Sequence, residues 1–174
     1  DYLMRMLARV EGMPLESLQQ GLPWNWTTTA EYLDALDGTL MPNAGFLVGH
    51  SALRRVVMHD AANQREATDE EIEAMCNLLR DGLRAGGMGF SSTWSPSHND
   101  HTGVPVPSRH GSRKELIALC AVLSEFDHGV IEFLPRSGSA DFDAADQELL
   151  LAMSEASGFK LININPLTLF PGNP

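Results

Sequence analysis

The feature that most constrains this chain is a repeated cadence: a helix-start signal, an amphipathic run, a glycine, and then a short apolar stretch that ends in polar residues. Thr28 followed by Glu31 forms a capping box for "TTAEYLDALDG", in which a hydroxyl and a carboxylate would satisfy the free N–H groups of a first helical turn; Gly38 supplies the stop. The stretch "AGFLVGH" then predicts a buried strand. Thr68 and Glu71 repeat the box before a helix whose stripe is Ile72, Met75, Leu79 and Leu83, and "MGFSS" follows as a strand. Ser112 and Glu115 give a third box before a helix leading to the strand "GVIEFL". Asp141 or Asp143 caps a last helix that leads into "FKLININ". Ahead of all this, Leu3, Met6, Leu7 and Val10 take the spacing of one helix face, stopped by Gly12 and Pro14.

Strands recurring at roughly 30 to 45 residues, each separated by a helix and with no tight hairpin signal between them, predict repeated βα units around a parallel sheet. The expected fold class is therefore α/β, about four parallel strands alternating with helices, either doubly wound or an arc of a (β/α)8 barrel. In both architectures ligands bind at the carboxyl ends of the strands. Those ends carry His50, Ser51 and Arg54; Ser91, Ser92 and Thr93; Glu132; and Asn163 and Asn165. In "LININ" the two asparagines alternate with isoleucines and so share one face, which in a closed barrel could be the lumen. They are read either as a structural hydrogen-bond network or as ligand contacts. His50 is either a strand-end histidine bonded to a carbonyl or a substrate or metal contact. Glu132, an acid inside an apolar strand, is expected to be paired, with Arg54 or Arg136 as partner, or else to have a raised pKa and act as a general base or a support for one.

Charge narrows the function classes. Acidic residues outnumber basic ones 23 to 12 in a chain of 174, a formal charge of -11 that repels phosphate backbones and anionic headgroups and disfavours nucleic-acid and membrane-surface roles. A hydrophobic content of 43% is enough for one domain, residues 1–174, with a sizeable core. No apolar stretch approaches the ~20 residues that span a bilayer, and the start lacks the pattern of a signal peptide, so a soluble cytoplasmic protein is expected. Cys76 and Cys120 fall on the apolar stripes of helices and are read as buried thiols. The absence of an initial methionine and an end just past an apolar run give the look of a piece of a longer chain.

The succession "PWNW", "EYLDAL", "FLVGHSALR", "REAT" leading into "EIEAM", "GFSS" and "SPSHNDHTGVPVPSR" resembles the interior of the N-acyl-D-amino-acid deacylases, the D-aminoacylase branch of the amidohydrolase superfamily, from the N-terminus to about residue 130. The resemblance implies that the segment is about four strands of a (β/α)8 barrel. It also implies that the parent hydrolyses the C–N bond of N-acyl-D-amino acids or related small amides with a water activated by zinc. The family's His-x-His pair does not occur in this sequence, and where a ligand histidine is expected after the strand "GVIEFL" the chain has "FLPRSG". No metal ligand is therefore assigned, zinc is expected in the parent and not on this segment, and the segment alone is expected to be inactive. The alternative function is a catalytically silent α/β binding or assembly module. Arg54, Ser92, His98, Asn163 and Asn165 are the expected substrate contacts, with His50 and Glu132 as catalytic candidates.

The loop 94–110 would lie at the catalytic face as a mobile lid, bringing His98, Asn99, Asp100 and His101 near an acyl-amino-acid substrate. Four strands out of eight leave two free edges and an open face bearing Phe90, Glu132, Asn163 and Asn165, so a homo-oligomer joined through that face is expected, unless "PLTLFPGNP" folds back over an edge.

Overall fold

The computed structural model describes residues 2–137 and 142–164. Three short helices come first: α1 (Tyr2–Val10), α2 (Leu15–Gly21) and α3 (Thr29–Leu36). The βα repeat follows as β1 (Val48–Gly49), α4 (His50–Met58), α5 (Asp69–Arg84), β2 (Gly89–Thr93), α6 (Arg113–Val122), β3 (Val130–Leu134), α7 (Ala144–Ala156) and β4 (Ile162–Asn163). All strand pairs are parallel, and their order across the sheet is β1-β2-β3-β4.

That order contains no switch point and fits the barrel. A doubly wound sheet reverses direction at a switch point, whereas a barrel adds every new strand on the same side of the last. Here each strand neighbours its predecessor, and α4, α5, α6 and α7 pack in series on one face. The result is an open arc of a barrel.

Register explains which residues go where. Val48 pairs with Phe90, Phe90 with Ile131, and Ile131 with Ile162, so these four form one row. The row joins Leu79, Leu83, Leu116, Leu119 and Met153 in the core beneath the helices. Phe90 is fully buried there, not on the open face where the sequence alone placed it, because the two-residue strand period commits it to the same side as Val48 and Ile131. One position on, Gly49, Ser91, Glu132 and Asn163 form a second row pointing the opposite way. Asn163 lies on the open face as anticipated; Asn165 and the segment "PLTLFPGNP" lie outside the described residues.

The local signals mostly act as their chemistry dictates. At α3 and α5 the capping boxes are complete, with Thr28 and Thr68 accepting from the N–H of Glu31 and Glu71 while those carboxylates reach back. Bonds from the backbone N–H and hydroxyl of Thr27, and then from the Thr28 N–H of the box, hold the Glu31 carboxyl at about 2. Asp143 caps α7; Asp141 is outside the described residues. At α6 only half of the box forms. Ser112 accepts from the N–H of Glu115, but the Glu115 side chain turns inward and is 0% exposed. Strand β1 is shorter than its apolar run suggests, although the Met88 N–H bonds to the Phe46 carbonyl at 2.8 Å and continues the pairing. Helix α2 has no counterpart in the sequence reading.

Candidate functional site

The carboxyl ends of β1, β2 and β3 carry polar groups on both faces of the sheet, and the two sets behave differently. On the helical side, Gly49 ends β1 and His50 is the first residue of α4, which drives the imidazole under the sheet to 1% exposure. Its Nδ1 lies 2.8 Å from Ser92 Oγ and its Nε2 lies 2.6 Å from Glu115 Oε1. One helical turn further along α4, Arg54 donates from Nη1 to both Glu115 oxygens, at 2.7 and 2.5 Å. Its Nη2 is used by the carbonyls of Ala62 and Arg65, at 3.1 and 2.7 Å. Burial pushes the His50 imidazole below its ordinary value. Burial alone would raise the Glu115 carboxyl, but the bonds from His50 and the charge and bonds of Arg54 together hold it below the usual carboxylate range.

Gly111 closes this cluster from above. A Cβ there would meet His50 Cε1 at 2.9 Å and the Ser108 carbonyl at 3.1 Å, so hydrogen is what fits.

These contacts correct three expectations. Arg54 was expected at the substrate, but it is 0% exposed and its donors are committed within the protein. Ser92 faces the helices and serves His50. Glu132 is not paired with either arginine, because Arg54 is taken by Glu115 and Arg136 lies over the Trp94 ring at 5.5 Å. Glu132 is half-buried on the outward row, where water can reach it, so the argument from complete burial does not apply. The residue the sequence reading missed is Glu115, taken only as a cap. A signal existed: Leu119 lies one turn further on the same helix face and is fully buried, so helical spacing puts Glu115 on the apolar side.

The open face carries the second set. Ser91, Glu132 and Asn163 stand side by side on adjacent strands, a hydroxyl, a carboxylate and an amide at one level near the strand ends. Beside them, the loop after β2 is a fastened collar and not a loose lid. Asp100, 2% exposed, accepts from the Tyr2 hydroxyl at 2.8 Å and from both the N–H and hydroxyl of Thr102. Arg109 holds Asn99 Oδ1 at 2.8 Å and the His98 carbonyl at 3.2 Å. Ser108 donates to the Thr93 carbonyl, and its N–H donates to Ser51 Oγ. His98 is half-buried in this collar, and desolvation pushes its imidazole below its ordinary value.

Among the described residues, no group of three or more His, Cys, Asp or Glu side chains is placed to hold a metal ion. The donor chemistry agrees: both His50 nitrogens are engaged, and Glu132 is the single carboxylate of the outward row. These residues do not by themselves fit a zinc site.

No protein-family model matches the chain. A D-aminoacylase of Alcaligenes xylosoxydans xylosoxydans is 39% identical over 120 residues, covering 68% of this chain and 22% of that protein. The uncharacterised protein Rv2913c of Mycobacterium tuberculosis is 39% identical over 92 residues, 49% of this chain and 15% of that protein. Among solved structures, a D-aminoacylase studied for its binuclear metal centre superposes with a TM-score of 0.66 at 30% identity, over 87% of this chain and 29% of that one. The N-acyl-D-glutamate deacylase from Bordetella bronchiseptica, in complex with zinc and a phosphonate inhibitor, gives 0.59 at 30% identity, over 75% and 25%. The chain thus spans less than a third of the length of each of these relatives. In sequence and in fold the chain is similar to one part of these D-aminoacylases, which are amidohydrolases, and superposes on an arc of their structures.

Proposed function

We propose that this chain supplies one arc of a barrel hydrolase that cleaves the C–N bond of N-acyl-D-amino acids or related small amides. The observation that carries the reading is the aligned row of Ser91, Glu132 and Asn163 at the strand ends of a D-aminoacylase-like arc, where barrel enzymes assemble their chemistry. Asn163 and Ser91 would hold polar groups of an acyl-amino-acid, and Glu132 would take or return a proton. His98, in the collar, would border the same pocket. The D-aminoacylase and N-acyl-D-glutamate deacylase relatives were solved with metal centres, and a bound metal in the parent would supply the activation of water. The present residues leave its ligands to other parts of the parent.

In the reducing cytoplasm, the compartment proposed here, Cys76 and Cys120 would remain the buried free thiols that the fold contains; burial raises them to about 11 and about 12. No described helix is long and apolar enough to cross a membrane.

The test is turnover by the full-length parent on N-acetyl-D- and N-acetyl-L-amino acids, beside the 174-residue chain alone. Turnover by the parent that is lost on chelation, with none from the chain, is the expected result. Glu132→Gln in the parent should lower kcat/KM by about 100-fold or more, in the range of a lost general acid or base. Zinc-dependent turnover by the chain alone, or full activity of that variant, would overturn the reading. The unfit donor set favours a second reading, a catalytically silent binding or assembly module, which a parent without turnover on any small amide would support.

A further inference from the structure

We infer that Arg54, Glu115, His50 and Ser92 form a positioning unit that fixes the end of β2, and with it the outward-facing Ser91, by holding His50 as the neutral imidazole protonated on Nε2. The proton assignment stands on geometry; only its bearing on Ser91 rests on the function proposed above.

The steps follow from the donors available. Arg54 is always charged, and its Nη1 reaches both oxygens of Glu115, so the carboxylate is ionised and can only accept. Glu115 Oε1 also lies 2.6 Å from His50 Nε2, so the hydrogen between them belongs to the imidazole. The charged groups facing that ring are Glu115 from α6 and Arg54 from α4; from β2 it meets the uncharged Ser92 and, at a centroid distance of 5.5 Å, Phe90. The Glu115 bond and charge favour a second proton, but full burial, the largest effect, together with the Arg54 charge outweighs them, so Nδ1 keeps its lone pair. The partner of that lone pair is Ser92 Oγ at 2.8 Å, which must donate.

The direction of one hydroxyl hydrogen is thereby set by an arginine on another element. Ser92 is tied to the helical side, and because side chains alternate along a strand, Ser91 is held to the open side. Gly111 packs beside the ring, where a Cβ would lie 2.9 Å from His50 Cε1.

The experiment is long-range nitrogen NMR on the chain labelled with 15N-histidine, from about pH 5 to about 8. His50 should show a protonated-type Nε2 and a pyridine-type Nδ1 that do not change across the range. Glu115→Gln should admit the other tautomer, since an amide can accept or donate, and should move the backbone amides of Ser91, Thr93 and Glu132. Ser92→Ala should move the Nδ1 resonance and the Ser91 amide while Nε2 keeps its proton, and Ser92→Thr should restore both. An Nδ1–H tautomer in the unsubstituted chain, an ordinary His50 titration, or a Ser91 amide unmoved in Ser92→Ala would overturn the inference. Should Glu115→Gln not fold, the unsubstituted chain and the Ser92 pair decide. A parent that fails to hydrolyse amides would leave these resonances unaffected, so the two proposals fail separately.

Discussion

At the scale of single residues, His50 and Glu115 tie stability to pH in a direction that can be worked out. The imidazole is held below its ordinary value of 6.5, so the unfolded chain binds a proton there that the folded one refuses. Stability from this residue is complete above that value and is lost as pH falls below it. The carboxyl of Glu115, also depressed, adds stability above its unfolded value that fades only in more acid solution. Urea unfolding should therefore give midpoints that fall between about pH 7 and about pH 5, and His50→Gln should flatten that slope. A slope unchanged by the substitution would mean that His50 titrates alike in both states. Removing the carboxylate altogether with Glu115→Ala leaves a buried guanidinium unpaired and should cost about 3–5 kcal/mol. This cluster also marks where sequence reading ran out. A glutamate three residues after a serine is the capping signal whether its side chain bends back, as Glu71 does, or turns inward, as Glu115 does. Only its place on the apolar side of α6 tells the two apart.

At the scale of elements, helices announced themselves more clearly than strands or the collar. Caps and periodicity placed α3, α5, α6 and α7, because each signal is local to a few residues. Having no period, the collar reads from sequence as a mobile lid, yet it is held by contacts from distant parts of the chain, Tyr2 to Asp100 and Ser51 to Ser108, and by Arg109 reaching across the loop to Asn99. No local pattern encodes those. Arg109→Ala should therefore raise amide exchange in residues 96–105 by about tenfold or more while leaving β2 and β3 protected, a change worth about 1–2 kcal/mol of local stability. Exchange that rises equally in the strands would mean the collar is not a separate unit. Gly111 gives a sharper test, since its φ of -70 suits any residue and only space forbids a side chain. Gly111→Ala should destabilise by about 1–3 kcal/mol, as an overpacked site does.

At the scale of the whole molecule, the α/β class and the parallel sheet were legible because the alternation of helices and strands leaves few other solutions. The barrel arc shows in the strand order together with the likeness to D-aminoacylase structures, neither of which a single segment contains. An arc keeps an outward row of Gly49, Ser91, Glu132 and Asn163 away from the helices and leaves β1 and β4 each with one partner strand among the described residues. We propose that two copies cover those faces, and light scattering at micromolar concentration should give a dimer. A monomer, or a dimer joined only through helix exteriors, would refute this.

The Arg54–Glu115 pair has a kinetic consequence as well. Its partners are 61 residues apart in sequence, and they meet only when α4, β2 and α6 are already side by side. Bringing such distant groups together early would cost loop entropy before any packing repaid it, so the pair is expected to form on the native side of the folding barrier. Stopped-flow measurements on Glu115→Gln should then show refolding close to that of the parent sequence and unfolding faster by about tenfold or more, a low φ-value at a residue of high energetic weight. In that event the clasp governs how long the arc stays folded, while the apolar row of Val48, Phe90, Ile131 and Ile162 governs how quickly it forms.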